Sequence, residues 1–430
     1  MEVLNGLLLP ILLSCTVCYS SDVHHIQLQP EQIHLSATGN AGEMMVTWST
    51  VNDTKASLVR FGKNITLNLV AKGTSSIFVD GGPEKRSQFI HRVKLTGLSP
   101  AQMYYYHCGS EDGWSPLFFF KAFPNTTDWS PRFAMYGDLG NENAQSLSRL
   151  QEEVQKGMYD TVFHIGDFAY ELEEDNGRVG DMFMRQIESV AAYVPYMTAV
   201  GNHEASYNFS HYKNRFTMPN FAETANLWYS WDIGPAHIIV FSTEVYYYFQ
   251  YGLFLITHQL NWLKQDLKAA NKNRAERPWV ITMAHRPMYC TDTDGDDCSK
   301  RYNIIRDQFE ELFYDSGVDI EFWAHEHTYE RLLPVYKGKV FNGSASAPYT
   351  NPNAPVHVVA GSAGCRELPD KFTPVPAPWD GFRSRDYGYL TMTVTNKTHA
   401  HFQQISDDQG GKVIDDFWVI KHKHGPYGSD

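Results

Sequence analysis

Basic charge is what this 430-residue chain has too little of: 36 Lys and Arg stand against 49 Asp and Glu, a formal net charge of −13. A general nucleic-acid binder needs a basic face to neutralise phosphates, so no nucleic-acid partner is expected. A phosphorylated small molecule is not excluded, because bound metal cations can reverse the charge locally. Long apolar runs are also scarce. After Leu7-Leu8-Leu9-Pro10-Ile11-Leu12-Leu13, itself too short to span a bilayer, none is long enough for a membrane span. Gly425 to Asp430 carries no anchor signal, so no membrane attachment is expected. No biased tract is long enough to be disordered, and there is no internal repeat. Beyond the leader there is no Cys-X-X-Cys spacing, which counts against a thiolate zinc site.

What is present is the composition of a folded protein, 43% hydrophobic and 14% aromatic, long enough for two domains. The apolar run and the small, polar residues through Cys18-Tyr19-Ser20-Ser21 read as a signal peptide over residues 1–20, although no Lys or Arg precedes the run. A core helix is the rival reading. Sequons at Asn52, Asn64, Asn125, Asn208, Asn342 and Asn396 point the same way as the leader, towards a secreted, extracellular glycoprotein. Loss of the leader removes Cys15 and Cys18 and leaves Cys108, Cys290, Cys298 and Cys365, an even set that permits three disulfide connectivities. Cys290 and Cys298 bracket a short loop that closes at little entropic cost, so this pair is the expected bridge.

Residues 22–125 read as several short strands with turns between them and no helix, hence a β-sandwich. A linker follows, from Pro124 to Pro131. Strands and helices then alternate. Strands are expected at 132–137, 161–165, 195–200, 279–284 and 318–323, with helices at 143–158, 181–193, 258–272 and 304–314. The tail shows β-like runs at 356–360 and 389–394.

Each of those five strands ends in donors of the metal-binding kind: Asp138, then Asp167 and Tyr170, then Asn202, then His285, then His325 and His327. Singly they have bland readings, as turn former, helix cap, core histidine or surface pair. In α/β sheets, however, ligands gather outside the carboxyl ends of strands, where residues distant in sequence can meet. Such a set suits two metal ions about 3.5–4 Å apart, which activate water and neutralise a phosphoryl oxygen in an in-line displacement. Imidazole and amide donors suit zinc or Fe²⁺, whereas phenolate and carboxylate favour Fe³⁺.

The ordered motifs Asp138-Leu139-Gly140, Gly166-Asp167-Phe168-Ala169-Tyr170, Gly201-Asn202-His203-Glu204, His285 and His325-Glu326-His327 resemble those of the purple acid phosphatases, in their large, plant-type form. The resemblance runs from about residue 28 to the tail and includes Thr328-Tyr329-Glu330-Arg331. It implies an α/β fold: a fibronectin-III-like N-terminal sandwich, then a metallophosphoesterase domain of two β-sheets flanked by helices. The implied catalytic domain covers 131–345, completed by 355–425. It implies Asp138, Asp167, Tyr170 and His327 on one Fe³⁺, and Asp167, Asn202, His285 and His325 on one divalent ion, which is zinc, a second iron or manganese. Asp167 would bridge, Tyr170 would give the family's colour, and His203 would contact the phosphate or leaving group. The implied nucleophile is metal-bound hydroxide, with an optimum below neutral pH. A homodimer is implied on this basis alone.

Two departures stand out. Ala324 occupies a position where the family usually has Gly; a small shift is expected unless the backbone there needs φ > 0. The family's further outer histidine, some ten residues after His285, is missing from the acidic segment Thr291–Asp297. Asp292, Asp294 or Asp296 could replace it as general acid, or the segment is only a solvated loop. The function expected is therefore an acid phosphatase acting on phosphorylated small molecules. Its rivals are a phosphodiesterase or nucleotide hydrolase using the same ions, and a non-catalytic binding glycoprotein with a vestigial site.

Overall fold

A computed structural model of the protein describes residues 26–428 other than 294, 296 and 301; the expected leader lies outside the described residues. In the N-terminal part, Glu31–Ser36, Met44–Thr50, Ser87–Leu95 and Thr74–Val79 form one antiparallel sheet in that order. Leu69–Lys72, Leu58–Gly62, Met103–Ser110 and Gly113–Trp114 form a second, with Phe118–Lys121 also paired to Met103–Ser110. The period of two is plain in Met103–Ser110, where Tyr104 and Tyr106 are buried while Met103 is exposed. Trp48, Tyr104 and Tyr106 fill the core that the sheets share.

Two larger sheets build the rest. The six-stranded one has the order Tyr196–Ala199, Thr161–Ile165, Arg132–Tyr136, Gly388–Val394, His399–Ser406, Lys412–Ile420. Its first three strands are parallel to one another. The seven-stranded one runs Tyr229–Ile233, Ala236–Val240, Trp279–Met283, Ile320–Trp323, Val356–Ala360, Tyr329–Leu332, Asp380–Ser384, with Trp279–Met283 and Ile320–Trp323 in its parallel middle. The sheets stack face to face, with ring contacts between Phe163 and Trp231 and between Phe322 and Phe402. The five expected strands are present, as are helices Leu147–Gln155, Glu174–Ala191, Phe254–Lys272 and Ile304–Ser316. The second helix starts seven residues earlier than its periodicity indicates, through a left-handed turn at Asp175, Asn176 and Gly177. Strands such as Glu31–Ser36 and Lys412–Ile420 carry mixed polar sequences, and their pairing comes from the sheet they join rather than from their own pattern.

The sandwich is bolted to the remainder through buried charge. Arg215, fully buried, donates to Asp181 (2.9 Å) and to the Gln32 amide oxygen (3.1 Å), and Arg86 reaches the other Asp181 oxygen at 2.7 Å. Asp80 pairs with His211 at 2.8 Å. Both His211 and Arg215 lie on helix Ser206–Arg215, which follows directly on the Asn202–Glu204 turn. Of the sequons, Asn64, Asn125, Asn208 and Asn396 are exposed, whereas Asn52 and Asn342 are half-buried and Asn52 donates to Gln27.

At the base of the seven-stranded sheet, Asp319 accepts from the Val280 N–H (2.8 Å) and Arg274 (2.7 Å), and it pairs with Lys421 and with His424 (3.1 Å). Burial alone would raise its carboxyl; Lys421, His424 and Arg274 outweigh this and hold it well below the usual carboxylate range. A depressed native carboxyl adds stability that is complete above the unfolded value, near pH 4, and is lost only as pH falls below it. Asp319→Asn leaves two buried cations uncompensated and should cost roughly 3–5 kcal/mol in denaturant melts at neutral pH. The difference from wild type should shrink as the melts are moved to lower pH.

Candidate metal centre

The five parallel strand ends come from both stacked sheets, and their carboxyl ends open on one seam. Arg132–Tyr136, Thr161–Ile165 and Tyr196–Ala199 deliver Asp138, Asp167, Tyr170 and Asn202 from one side; Trp279–Met283 and Ile320–Trp323 deliver His285, His325 and His327 from the other. Four of these donors sit on left-handed backbone, with φ 59° at Asp138, 54° at Asp167, 52° at Tyr170 and 71° at His325. Such turns fold the chain back sharply after a strand, so that the side chain faces across the seam; for a bulky residue like Tyr the conformation is strained. Gly166, at φ 83°, serves a further purpose, since a Cβ there would lie 2.4 Å from His285 Nδ1.

The seven donors fall into two groups. Tyr170 Oη is 3.0 Å from Asp138 Oδ1 and 2.9 Å from His327 Nε2. His285 Nε2 is 3.1 Å from Asn202 Oδ1, 3.2 Å from His325 Nδ1 and 3.0 Å from Asp167 Oδ2. All seven residues predicted from the strand ends are thus brought together. Their protonation shows what the seam requires. Burial alone would raise the Asp167 carboxyl and lower the imidazoles. Instead His285 and His203 hold Asp167 well below its usual range, while Asp167 carries His285 up to about 9. Hydrogen bonds to Asp138 and Cys365 carry His327 up to about 12, and burial next to Asp138 and Asp167 pushes the Tyr170 phenol up. Buried carboxylates therefore draw protons onto neighbouring donor atoms. Bound cations replace such protons, so the donor set fits a metal pair.

The surrounding side chains fix the donors. His285 Nδ1 is 2.8 Å from the Ile165 carbonyl and His327 Nδ1 is 3.3 Å from the Leu368 carbonyl, which leaves each Nε2 facing the seam. Arg286, clamped on both Glu244 oxygens at 3.1 Å, lies 3.0 Å from His325 Nε2, and His325 Nδ1 faces His285 across the seam. Glu204, buried, accepts from the N–H groups of Asp167, Phe168 and Gly201, each at 2.9 Å, and ties the Asp167 loop to the Asn202 loop. Burial and the Asp167 charge push its carboxyl up to about 8 against those N–H groups. The Gly-X-X-Glu spacing of a capping turn, at Gly201 and Glu204, was the available signal for this strut. Arg286 and Glu244 left no comparable mark.

His203 sits at the edge of the seam. Glu171 holds its Nδ1, while Nε2 lies 3.8 Å from Asp167 and 3.9 Å from Glu367. Burial would lower the imidazole, but Asp167 and Glu171 raise it to about 10, so it is cationic. Ala324 is absent from the left-handed residues; its methyl instead lies over Gly137, where a Cβ would approach to 2.4 Å, so the extra carbon is absorbed without strain. The acidic segment is placed only in part. Asp292 is buried beside Cys290, Cys298 and Glu326, whereas Asp294 and Asp296 lie outside the described residues. Cys290 and Cys298 are bridged, with Cα atoms 5.5 Å apart, and Cys108 and Cys365 are buried thiols.

The stacked sheets and their seam define a metallophosphoesterase. Residues 131–329 match the calcineurin-like phosphoesterase model, residues 30–122 the purple acid phosphatase N-terminal domain, and residues 354–416 the iron/zinc purple acid phosphatase-like protein C model. The chain is 56% identical over 427 residues to acid phosphatase type 7 of Danio rerio, covering 96% of each. It is 53% identical to the Homo sapiens protein of the same name over 92% of each. The structure of purple acid phosphatase PPD1 from yellow lupin (Lupinus luteus) superposes with a TM-score of 0.77 at 25% identity, over 91% of this chain and 74% of that one. The chain belongs to the purple acid phosphatase family. It is a phosphatase with a dinuclear centre of iron paired with zinc or a second iron.

Replacing Glu204 by Gln would set an amide N–H against at least one of the three backbone N–H groups it now receives. Glu204→Gln should weaken metal retention by roughly 10–100-fold, read as metal per chain after dialysis against a graded chelator series.

Proposed function

We propose that the protein is a secreted acid phosphatase that hydrolyses monoesters of phosphorylated small molecules. The observation that carries this reading is the division of the seven donors into two clusters, Asp138, Tyr170 and His327 in one and Asp167, Asn202, His285 and His325 in the other. Asp138, Tyr170 and His327, with Asp167, would hold Fe³⁺; Asn202, His285 and His325, with Asp167, would hold the divalent ion. When bound, the pair supplies the Lewis acidity that activates water and neutralises phosphoryl oxygens. The chain's own residues do the rest. Asp167 would join the two clusters, and the Glu204 strut holds its loop in place. His203, held through Nδ1 by Glu171, presents Nε2 at the rim, where it can donate to a phosphoryl oxygen or to the leaving oxygen. His203 is the proton donor proposed for that step, because its Nε2 lies 3.8 Å from Asp167 at the edge of the seam. Secretion is supported by the apolar leader and by four exposed sequons.

Asp167→Asn should lose both ions by elemental analysis, and with them the activity. Tyr170→Phe should lose the visible absorption band; an unchanged spectrum would show that Tyr170 is not the iron ligand. Turnover of a phenyl monoester should exceed that of the bis-ester of the same phenol. A clear preference for the bis-ester would make the protein a phosphodiesterase, and a fully metallated protein inert towards both would be a binding glycoprotein.

A further inference from the structure

The segment after strand Ala236–Val240 is unusually rich in half-exposed rings, Tyr247-Tyr248-Phe249-Gln250-Tyr251, followed by Leu253 and Phe254. It lies against the half of the seam formed by Asn202, His285 and His325. Tyr248 Oη donates to the Asn202 carbonyl at 3.3 Å, and the Tyr247 ring lies 4.4 Å from the Arg286 guanidinium that contacts His325. Buried Phe209 backs the segment, 5.8 Å from Tyr248 and 5.4 Å from Tyr251, and those two tyrosines stack on each other. Phe249 and Leu253 nevertheless remain 48% and 65% exposed. Across the seam, Leu368 is 66% exposed, and its carbonyl is the partner of His327 Nδ1. Exposed apolar residues thus lie in the segment that contacts the Asn202 loop and in the one that contacts His327, where polar residues would serve if only phosphate had to enter. The charged groups next to His203 at this rim are the carboxylates Glu171 and Glu367, and Arg366 is drawn to Glu174 at 3.5 Å.

We propose that Tyr248, Phe249 and Leu253, with Leu368 opposite, form a subsite for the leaving group, and that the preferred substrate is a phosphate monoester of an uncharged aromatic alcohol. A flat ring laid on this wall removes apolar area from water on both partners, and ring-on-ring contact adds to that. The acidic rim disfavours the opposite kind of substrate, one carrying several phosphates, because its further charges would meet Glu171 and Glu367. Selection would reside in the bound leaving group rather than in the phosphoryl group, which all such esters share. This inference rests on the monoesterase reading above.

The test compares benzyl phosphate with ethyl phosphate, both esters of simple primary alcohols, on the fully metallated protein. Wild type should favour benzyl phosphate in kcat/KM by roughly tenfold or more, largely through KM. In the exposed-residue variants Phe249→Ala, Leu253→Ala and Leu368→Ala, the benzyl-to-ethyl ratio should fall, by roughly five- to tenfold when the first two are combined. Equal use of the two esters by wild type, or a ratio unmoved in all three variants, would overturn the subsite while leaving the monoesterase standing. Preference for inositol hexakisphosphate over benzyl phosphate would also overturn it. Failure of wild type on both simple esters, with bis-esters cleaved, would instead remove the reading on which the subsite rests.

Discussion

Asp167 is a carboxylate with almost no access to water, surrounded by imidazoles, and the design of the catalytic half follows from keeping it charged there. A buried charge survives only when it is paired and hydrogen-bonded. One of its oxygens accepts from the His203 N–H at 3.0 Å, and the other faces His285. Its backbone is held by Glu204, itself a buried acid that three N–H groups satisfy. Two acids so close in a dry seam repel each other, and that repulsion is what a bound cation relieves. The metal-binding function is in this sense already present in the electrostatics of the protein atoms.

Stored strain has the same origin. Four of the seven candidate donors adopt left-handed backbone, and only rigid surroundings keep them in that conformation. The stacked sheets provide this: Phe163 and Trp231 on one level and Phe322 and Phe402 on another prevent the strand ends from spreading. Close approach between the sheets also explains Gly137, which makes room for the Ala324 methyl. The N-terminal sandwich contributes through Arg215 and His211, which anchor the helix that follows Asn202 and His203. A domain without any expected donor thereby braces one side of the centre.

Polar residues around the donors divide by how visible they are in a linear chain. Asp138, Asp167, His285 and His325 each close an apolar run, and a polar residue in that position stands out against the buried strand before it. Glu204 is marked only by its three-residue spacing from Gly201, and its work spans two loops more than thirty residues apart. Glu244 and Arg286 lie forty-two residues apart and are joined by an ion pair beneath His325. The aromatic segment from Tyr247 to Phe254 reads as ordinary apolar content until its contact with Asn202 shows which surface it borders.

Local pattern alone therefore indicated the sandwich, the five strands with the seven candidate donors at their ends and the short-range Cys290–Cys298 disulfide, because alternation, strand-end polarity and loop length are all written in adjacent residues. Tertiary structure decided the division of the candidate donors between two sheets, the burial of Asp292 beside the Cys290–Cys298 bridge and the ring of carboxylates and arginine that orients the imidazoles. Each of these depends on which distant residues share a low-dielectric space. Burial and charge pairing belong to the packed chain, and no stretch of sequence carries them by itself.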